Sequence, residues 1–257
     1  MTLYPPNALK RKLAARQTAL GFWLSLNSLA MTEQAAGAGW DWLLLDLEHV
    51  IHNPERAEQH LLAARHADTD TELVVRIPSI DPVLMKQLLD AGFRSFMFPM
   101  VETVEEAKLA VRSTRYPPEG VRGFSGGTRA TRYGRDKNYL STYADDICVI
   151  IQIESPNAIP NIPAYGQIEG IDAMLIGAND LAANAGHLGN TSHPEVLKHF
   201  DEAAAAIMAT GKPAGFQFYD NARAMGLIER GFTLAAVAGD LNTVTLGQAG
   251  VLSDFGR

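Results

Sequence analysis

Cys148-Val149-Ile150-Ile151-Gln152-Ile153-Glu154 is an apolar, β-branched run that closes on an amide and a carboxylate. Residues of this kind pack well on a pleated, buried surface, so the run reads as a strand. Side chains alternate along a strand, which sends Gln152 and Glu154 to the same side, one step apart. A carboxylate at the end of an apolar strand needs a compensating partner, because burying a lone charge is costly. A second apolar run, Met174-Leu175-Ile176-Gly177, gives way to Ala178-Asn179-Asp180. If the two are parallel neighbours, Glu154 and Asp180 meet at one edge of the sheet. Two carboxylates at one place repel, and a divalent cation is the simplest remedy. Both residues are therefore expected to be metal ligands.

Outward from this stretch, strand-like runs recur at 19–25, 42–46, 72–77, 95–98, 148–154, 172–177, 213–218 and 234–238, with segments of helical period between them. Asn53-Pro54-Glu55 and Asp81-Pro82 carry a capping side chain followed by Pro in the first turn, and Ala91-Gly92 marks a helix end. Thr103-Val104-Glu105-Glu106 has the form of a capping box. Later helices are predicted at 193–210, 220–230 and 241–252. Eight strands alternating with helices predict an α/β fold of the (β/α)8 barrel type, as a single domain over 1–257. An open doubly wound sheet is the alternative, but no G-x-G-x-x-G follows an early strand. Ahead of the first strand, Lys10, Arg11, Lys12 and Arg16 interleave with Leu9, Leu13, Ala14 and Ala15. This predicts a short amphipathic helix rather than a signal peptide.

Composition excludes several classes. At 257 residues and 47% hydrophobic content the chain can build a large core. Its net charge of −7 argues against a nucleic-acid partner. No apolar stretch approaches the roughly 20 residues of a membrane span. The single cysteine, Cys148, lies inside an apolar strand and reads as a core thiol, consistent with a cytoplasmic setting.

Reacting groups of such barrels gather where strands end. There the sequence places Asp46, Glu48 and His49 after the second strand, Arg76 after the third, Gln152 and Glu154 on the fifth, and Asp180 after the sixth. Bland readings exist for each: His49 as a loop cap, Arg76 as an ion-pair partner, Glu48 paired with Arg76 or Arg94. Their coincidence at one mouth favours chemistry. His52, His60, His66 and His199 read as solvated helix-face residues. None of the seven lysines falls at a strand end, which closes a Schiff-base route. The long Gly- and Arg-rich connection 116–138 is expected to act as a lid or a positively charged rim that attracts carboxylated substrates.

Six ordered motifs carry a resemblance: D-x-E-H at 46–49, V-V-R at 74–76, K-Q-L-L-D-x-G at 86–92, R-Y-P-P-x-G-x-R-G at 115–123, Q-I-E at 152–154 and G-x-x-D-L at 177–181. The chain resembles the metal-dependent class II pyruvate aldolases typified by 4-hydroxy-2-oxoheptanedioate aldolase and 2-dehydro-3-deoxyglucarate aldolase. The resemblance implies reversible aldol cleavage of a 4-hydroxy-2-oxo acid to pyruvate and an aldehyde through a metal-stabilised enolate. It implies Glu154 and Asp180 as ligands of Mg2+, Mn2+ or Co2+, with Gln152 orienting substrate or a metal-bound water and Arg76 on the keto oxygen. His49, paired with Asp46, would transfer protons, and the backbone N–H groups of Asn179 and Asp180 would receive the substrate carboxylate. It further implies a homo-hexamer with the C-terminal helix exchanged between subunits and Asp90 presented to a neighbour's site. Leu47, Ala178-Asn179, Phe216, Gln217 and Phe218 depart from the family pattern and bear on the aldehyde acceptor. Rival expectations are a related metal-enolate enzyme, either an oxaloacetate decarboxylase or an acyl-CoA lyase, and a non-catalytic barrel that binds 2-oxo acids.

Overall fold

The computed structural model of the chain describes residues 6–51 and 53–257, so the reading of His52 lies outside the described residues. Eight parallel strands close into a barrel in sequence order: β1 (Ala19–Leu24), β2 (Trp42–Asp46), β3 (Glu72–Arg76), β4 (Ser95–Phe98), β5 (Cys148–Ile153), β6 (Ala173–Ile176), β7 (Ala214–Gln217) and β8 (Leu234–Gly239). Each boundary falls within one residue of the predicted run.

The helices are α1 (Ala8–Ala14), α2 (Leu29–Ala36), α3 (Pro54–His66), α4 (Pro82–Ala91), α5 (Val104–Ser113), α6 (Tyr139–Asp146), α7 (Ile162–Gly166), α8 (Ala178–Asn184), α9 (Pro194–Ala209), α10 (Asn221–Glu229) and α11 (Asp240–Asp254). The predicted caps form. Asn53 and Asp81 accept N–H bonds at the starts of α3 and α4, Gly92 closes α4 at φ 101°, and Thr103 with Glu106 completes a reciprocal box. Four helices, α2, α6, α7 and α8, carry too short a periodic pattern to announce themselves, at eight residues or fewer each.

Alternation along the strands sorts the core into two. Trp42, Leu44, Val74, Met97, Ile150 and Leu175 fill the barrel interior, and Leu9 and Leu13 of α1 join them. Leu43, Leu45, Val75, Phe96, Val149, Ile151 and Met174 face outward under the helices. Asn7, which caps α1, donates to Ser95 Oγ at 2.8 Å, at the first residue of β4. Helix α1 therefore plugs the end where strands begin. At the opposite end, where strands finish, the inward positions pass to Asp46, Arg76, Gln152 and Glu154.

Candidate active site

Asp46 and Arg76 are the last residues of β2 and β3 and stand opposite each other in the parallel register. Arg76 meets the carboxylate in two places, Nε to Oδ1 at 3.1 Å and Nη2 to Oδ2 at 2.5 Å. Asp46 also accepts from Trp23 Nε1 at 3.1 Å and from the backbone N–H groups of Glu48 and His49. Burial alone would raise the Asp46 carboxyl, but the bonded Arg76 holds it below its ordinary value. The guanidinium carbon lies 4.9 Å from the Trp23 ring centroid, and Nη1 stands 2.8 Å from Glu48 Oε2 as an ion pair. Two-point pairing, stacking and a second carboxylate leave Arg76 one orientation.

Glu154 follows directly on β5. Its Oε1 accepts from Gln152 Nε2 at 2.8 Å and its Oε2 from the Met100 N–H at 2.9 Å, while Asn184 Nδ2 donates to its backbone carbonyl. A Cβ built on Gly177 would collide with the Glu154 carboxylate, so only glycine fits where β6 turns into α8. Asp180 sits in the first turn of that helix and is half-buried. The first intrahelical bond runs from Leu181 N–H to Gly177 C=O, which leaves the N–H groups of Ala178, Asn179 and Asp180 without helical partners. Burial raises the Glu154 carboxyl to about 7; repulsion from Asp180 and Glu48 adds to this, against the Met100 bond and Arg76. Burial likewise raises Glu48. Gln152 Oε1 is buried without a hydrogen-bond partner. Four carboxylates, Asp46, Glu48, Glu154 and Asp180, have one guanidinium among them; with Asp46 committed to Arg76, the other three and the spare amide oxygen form an all-oxygen donor set short of positive charge. That is what a hard divalent cation suits.

These groups open on a cavity of about 470 Å³. His49, Arg76, Gln152, Glu154, Asn179 and Asp180 all line it, as expected, and so do Thr191, Gln217, Phe218 and Tyr219. Thr191 and Tyr219 escaped the sequence reading because they lie in connections without a motif. Gln217 donates to the Tyr219 hydroxyl at 2.8 Å.

Several expectations change. Asp46 does not line the cavity, and the expected pairing of its side chain with that of His49 does not form. Asp46 is saturated by Arg76 and Trp23 and takes only the backbone N–H of His49; the exposed imidazole has its Nε2 3.8 Å from Glu48 Oε2. Glu48 pairs with Arg76, and Arg94 with Glu72. Asp90 lies on α4 and binds the fully buried Arg122 at 2.8 Å. The connection 116–138 contributes no residue to the cavity. Arg122 is packed 4.3 Å from the Tyr116 ring centroid and Arg129 pairs with Glu58 on α3, so within one chain these arginines make no rim at the mouth. His60 is buried against Thr32 and Asn27, not solvated, and His199 is only partly exposed, beside Glu202. Phe216 points outward into the layer under the helices, because alternation sends Gln217 inward. No lysine lines the cavity among the described residues.

A family profile described as HpcH/HpaI aldolase/citrate lyase matches residues 19–245. The chain is 42% identical over 236 residues to a 5-keto-4-deoxy-D-glucarate aldolase of Escherichia coli K12, covering 92% of this chain and 91% of that one. Among solved structures, an HpcH/HpaI aldolase/citrate lyase family protein from Burkholderia cenocepacia J2315 superposes with a TM-score of 0.94 at 36% identity, covering 98% of this chain and 100% of that one. An HpcH/HpaI aldolase from Desulfitobacterium hafniense DCB-2 does so with a TM-score of 0.86 at 28% identity, covering 96% of each chain.

Proposed function

The chain belongs to the HpcH/HpaI aldolase/citrate lyase family, and from that premise we propose that it is a carbon–carbon lyase cleaving a 4-hydroxy-2-oxo acid to pyruvate and an aldehyde. The observation that carries this reading is Arg76: buried, locked by Asp46, and facing a cavity shared with Glu154 and Asp180. A divalent cation, Mg2+, Mn2+ or Co2+, held by Glu154 and Asp180 supplies Lewis-acid polarisation of the 2-oxo acid when bound.

The chain's own residues do the rest. The free N–H groups of Asn179 and Asp180 receive the substrate carboxylate, and Gln152 orients the substrate through its unpartnered Oε1. His49 takes the proton of the C4 hydroxyl, the C3–C4 bond breaks, and the electron pair moves to the C2 oxygen. The resulting enolate oxygen faces Arg76, whose charge is fixed in advance and costs no reorganisation. A proton returned to C3 gives pyruvate. Asp46 holds Arg76 rather than touching substrate.

The wall formed by Thr191, Gln217 and Tyr219 offers hydroxyl and amide groups. It suits a hydroxylated aldehyde half, in keeping with the sugar-acid substrate in the name of the Escherichia coli relative. Helix α11 supports assembly into the expected homo-hexamer with exchanged C-terminal helices. Of its residues only Asp240 is buried, while Leu241, Leu246, Val251 and Leu252 are exposed, as is Phe255 just beyond it. Asp90, held by Arg122 through one oxygen, stays the candidate for contact with a neighbour's site.

The test is exchange of pyruvate methyl protons in deuterated water, paired with retro-aldol assays on a panel of 4-hydroxy-2-oxo acids. Exchange should stop on chelation and in Arg76→Ala. Exchange that survives exhaustive chelation would refute the cation's role, and a borohydride-trapped pyruvate adduct would revive a lysine mechanism.

A further inference from the structure

Outside the mouth, one cluster of metal-ligating side chains stands apart. His187 lies in the connection between α8 and α9, His193 caps α9, and Glu195 follows in its first turn. One donor atom from each of the three falls within 4.8 Å of the others. The two imidazoles are nearly parallel, 19° apart, with centroids 3.5 Å from each other. Two nitrogens bound to one Zn2+ at tetrahedral geometry stand roughly 3.3 Å apart; the rings are already this close, and rotating one of them turns its in-plane lone pair from parallel to convergent with the other. His187 Nε2 lies 2.8 Å from Glu195 Oε2, and the shared proton occupies the place an ion would take.

The cost is small. His193 Nδ1 accepts the Glu195 backbone N–H at a long 3.3 Å. Coordination through Nδ1 uses that lone pair, and coordination through Nε2 moves the ring proton onto Nδ1. Either way one weak cap is given up. His199 Nε2 stands 3.9 Å from the other carboxylate oxygen of Glu195, too far for a hydrogen bond.

Two imidazoles and one carboxylate form the donor set of a borderline ion, not of Mg2+, which prefers oxygen and keeps its water. We propose that His187, His193 and Glu195 form a second metal site, taking Zn2+ or a similar nitrogen-preferring divalent ion, that fastens the connection 185–193 to the start of α9. The connection matters to the mouth because Thr191, between the two histidines, lines the catalytic cavity. The site is separate from the Glu154–Asp180 pair in residues and in ion preference, and does not rest on the reading of that pair.

Zinc equivalents bound per chain would be measured by equilibrium dialysis with saturating Mg2+ present throughout. The wild type would be compared with His187→Ala/His193→Ala and with Glu154→Gln/Asp180→Asn, and circular dichroism would confirm the fold of each. The expected result is one Zn2+ equivalent lost in the histidine double variant and retained in the carboxylate variant. Zinc should also slow hydrogen exchange over 185–193 in the wild type alone. Unchanged zinc binding in the histidine variant overturns the site, and unchanged exchange overturns its fastening role. Failure of Mg2+ to bind in the wild type bears only on the mouth.

Discussion

Gly177 and Glu154 are two halves of one device, since the carboxylate lies where any larger side chain at 177 would have to go. The backbone at Gly177 has φ −87°, which alanine adopts freely. Gly177→Ala should therefore strain no backbone but displace the buried carboxylate, lowering the melting temperature through that clash alone; a misplacement near 1 Å costs about 10²-fold in kcat/KM. A loss of that size in a variant whose circular dichroism shows the folded barrel checks the claim. Glu154 also makes a pH prediction. Its carboxyl, facing Met100 N–H, Gln152, Asp180, Arg76 and Glu48, is raised to about 7 in the folded chain, chiefly by burial. Between the unfolded value and 7 the folded state binds the extra proton, so stability falls as pH rises across that window. Metal-free Glu154→Gln should exceed the metal-free wild type in stability at pH 8 by up to about 3 kcal/mol, and by little near pH 4.5. Urea denaturation at the two pH values would show it, and added Mg2+ should favour only the wild type. Asp46→Asn should strand Arg76 beside Glu48, costing on the order of 3 kcal/mol of stability as a broken buried pair.

At the scale of elements, the caps and the strand runs obey local rules, which is why they were readable. Asn53, Asp81, Thr103 and Glu106 act on amides two to four residues away, so sequence spacing alone specifies them. Thr103→Ala should cost about 1 kcal/mol, read from the shift of the urea midpoint at unchanged slope. Helix α8 is the opposite case. It has seven residues and a glycine cap without a side-chain bond, and it is held by Asn184 on the Glu154 carbonyl. Helix α1 shows how a short element matters through what it covers. Leu9 and Leu13 finish the barrel interior, so Leu9→Ala should destabilise by about 2–5 kcal/mol without touching kcat.

For the whole molecule, closure of eight strands sets the site by bringing ends distant in sequence to one mouth. The net charge of −7 provides no global attraction for an anionic 2-oxo acid, so in the proposed reaction recognition would fall to Arg76 and a cation held by the carboxylates. Among the described residues, no helix is long and apolar enough to cross a membrane. The exposed leucines of α11 are the surface that the proposed assembly would cover. Light scattering should show an oligomer for the wild type and smaller species for Leu246→Lys combined with Phe255→Asp, with the barrel's circular dichroism preserved.

Alternation and capping act between near neighbours, and these the chain declares outright: eight strands, most of the longer helices, and the residues of the mouth, His49, Arg76, Gln152, Glu154 and Asp180. Partner choice within the mouth was decided only by folding. Asp46 stands three residues from His49, yet β2 and β3 register it against Arg76, and a guanidinium that binds at two points outcompetes an imidazole in solvent. The fate of 116–138 was tertiary for the same reason. Arg122 and Arg129 find Asp90 and Glu58 on neighbouring helices, charges that no local pattern could assign to them.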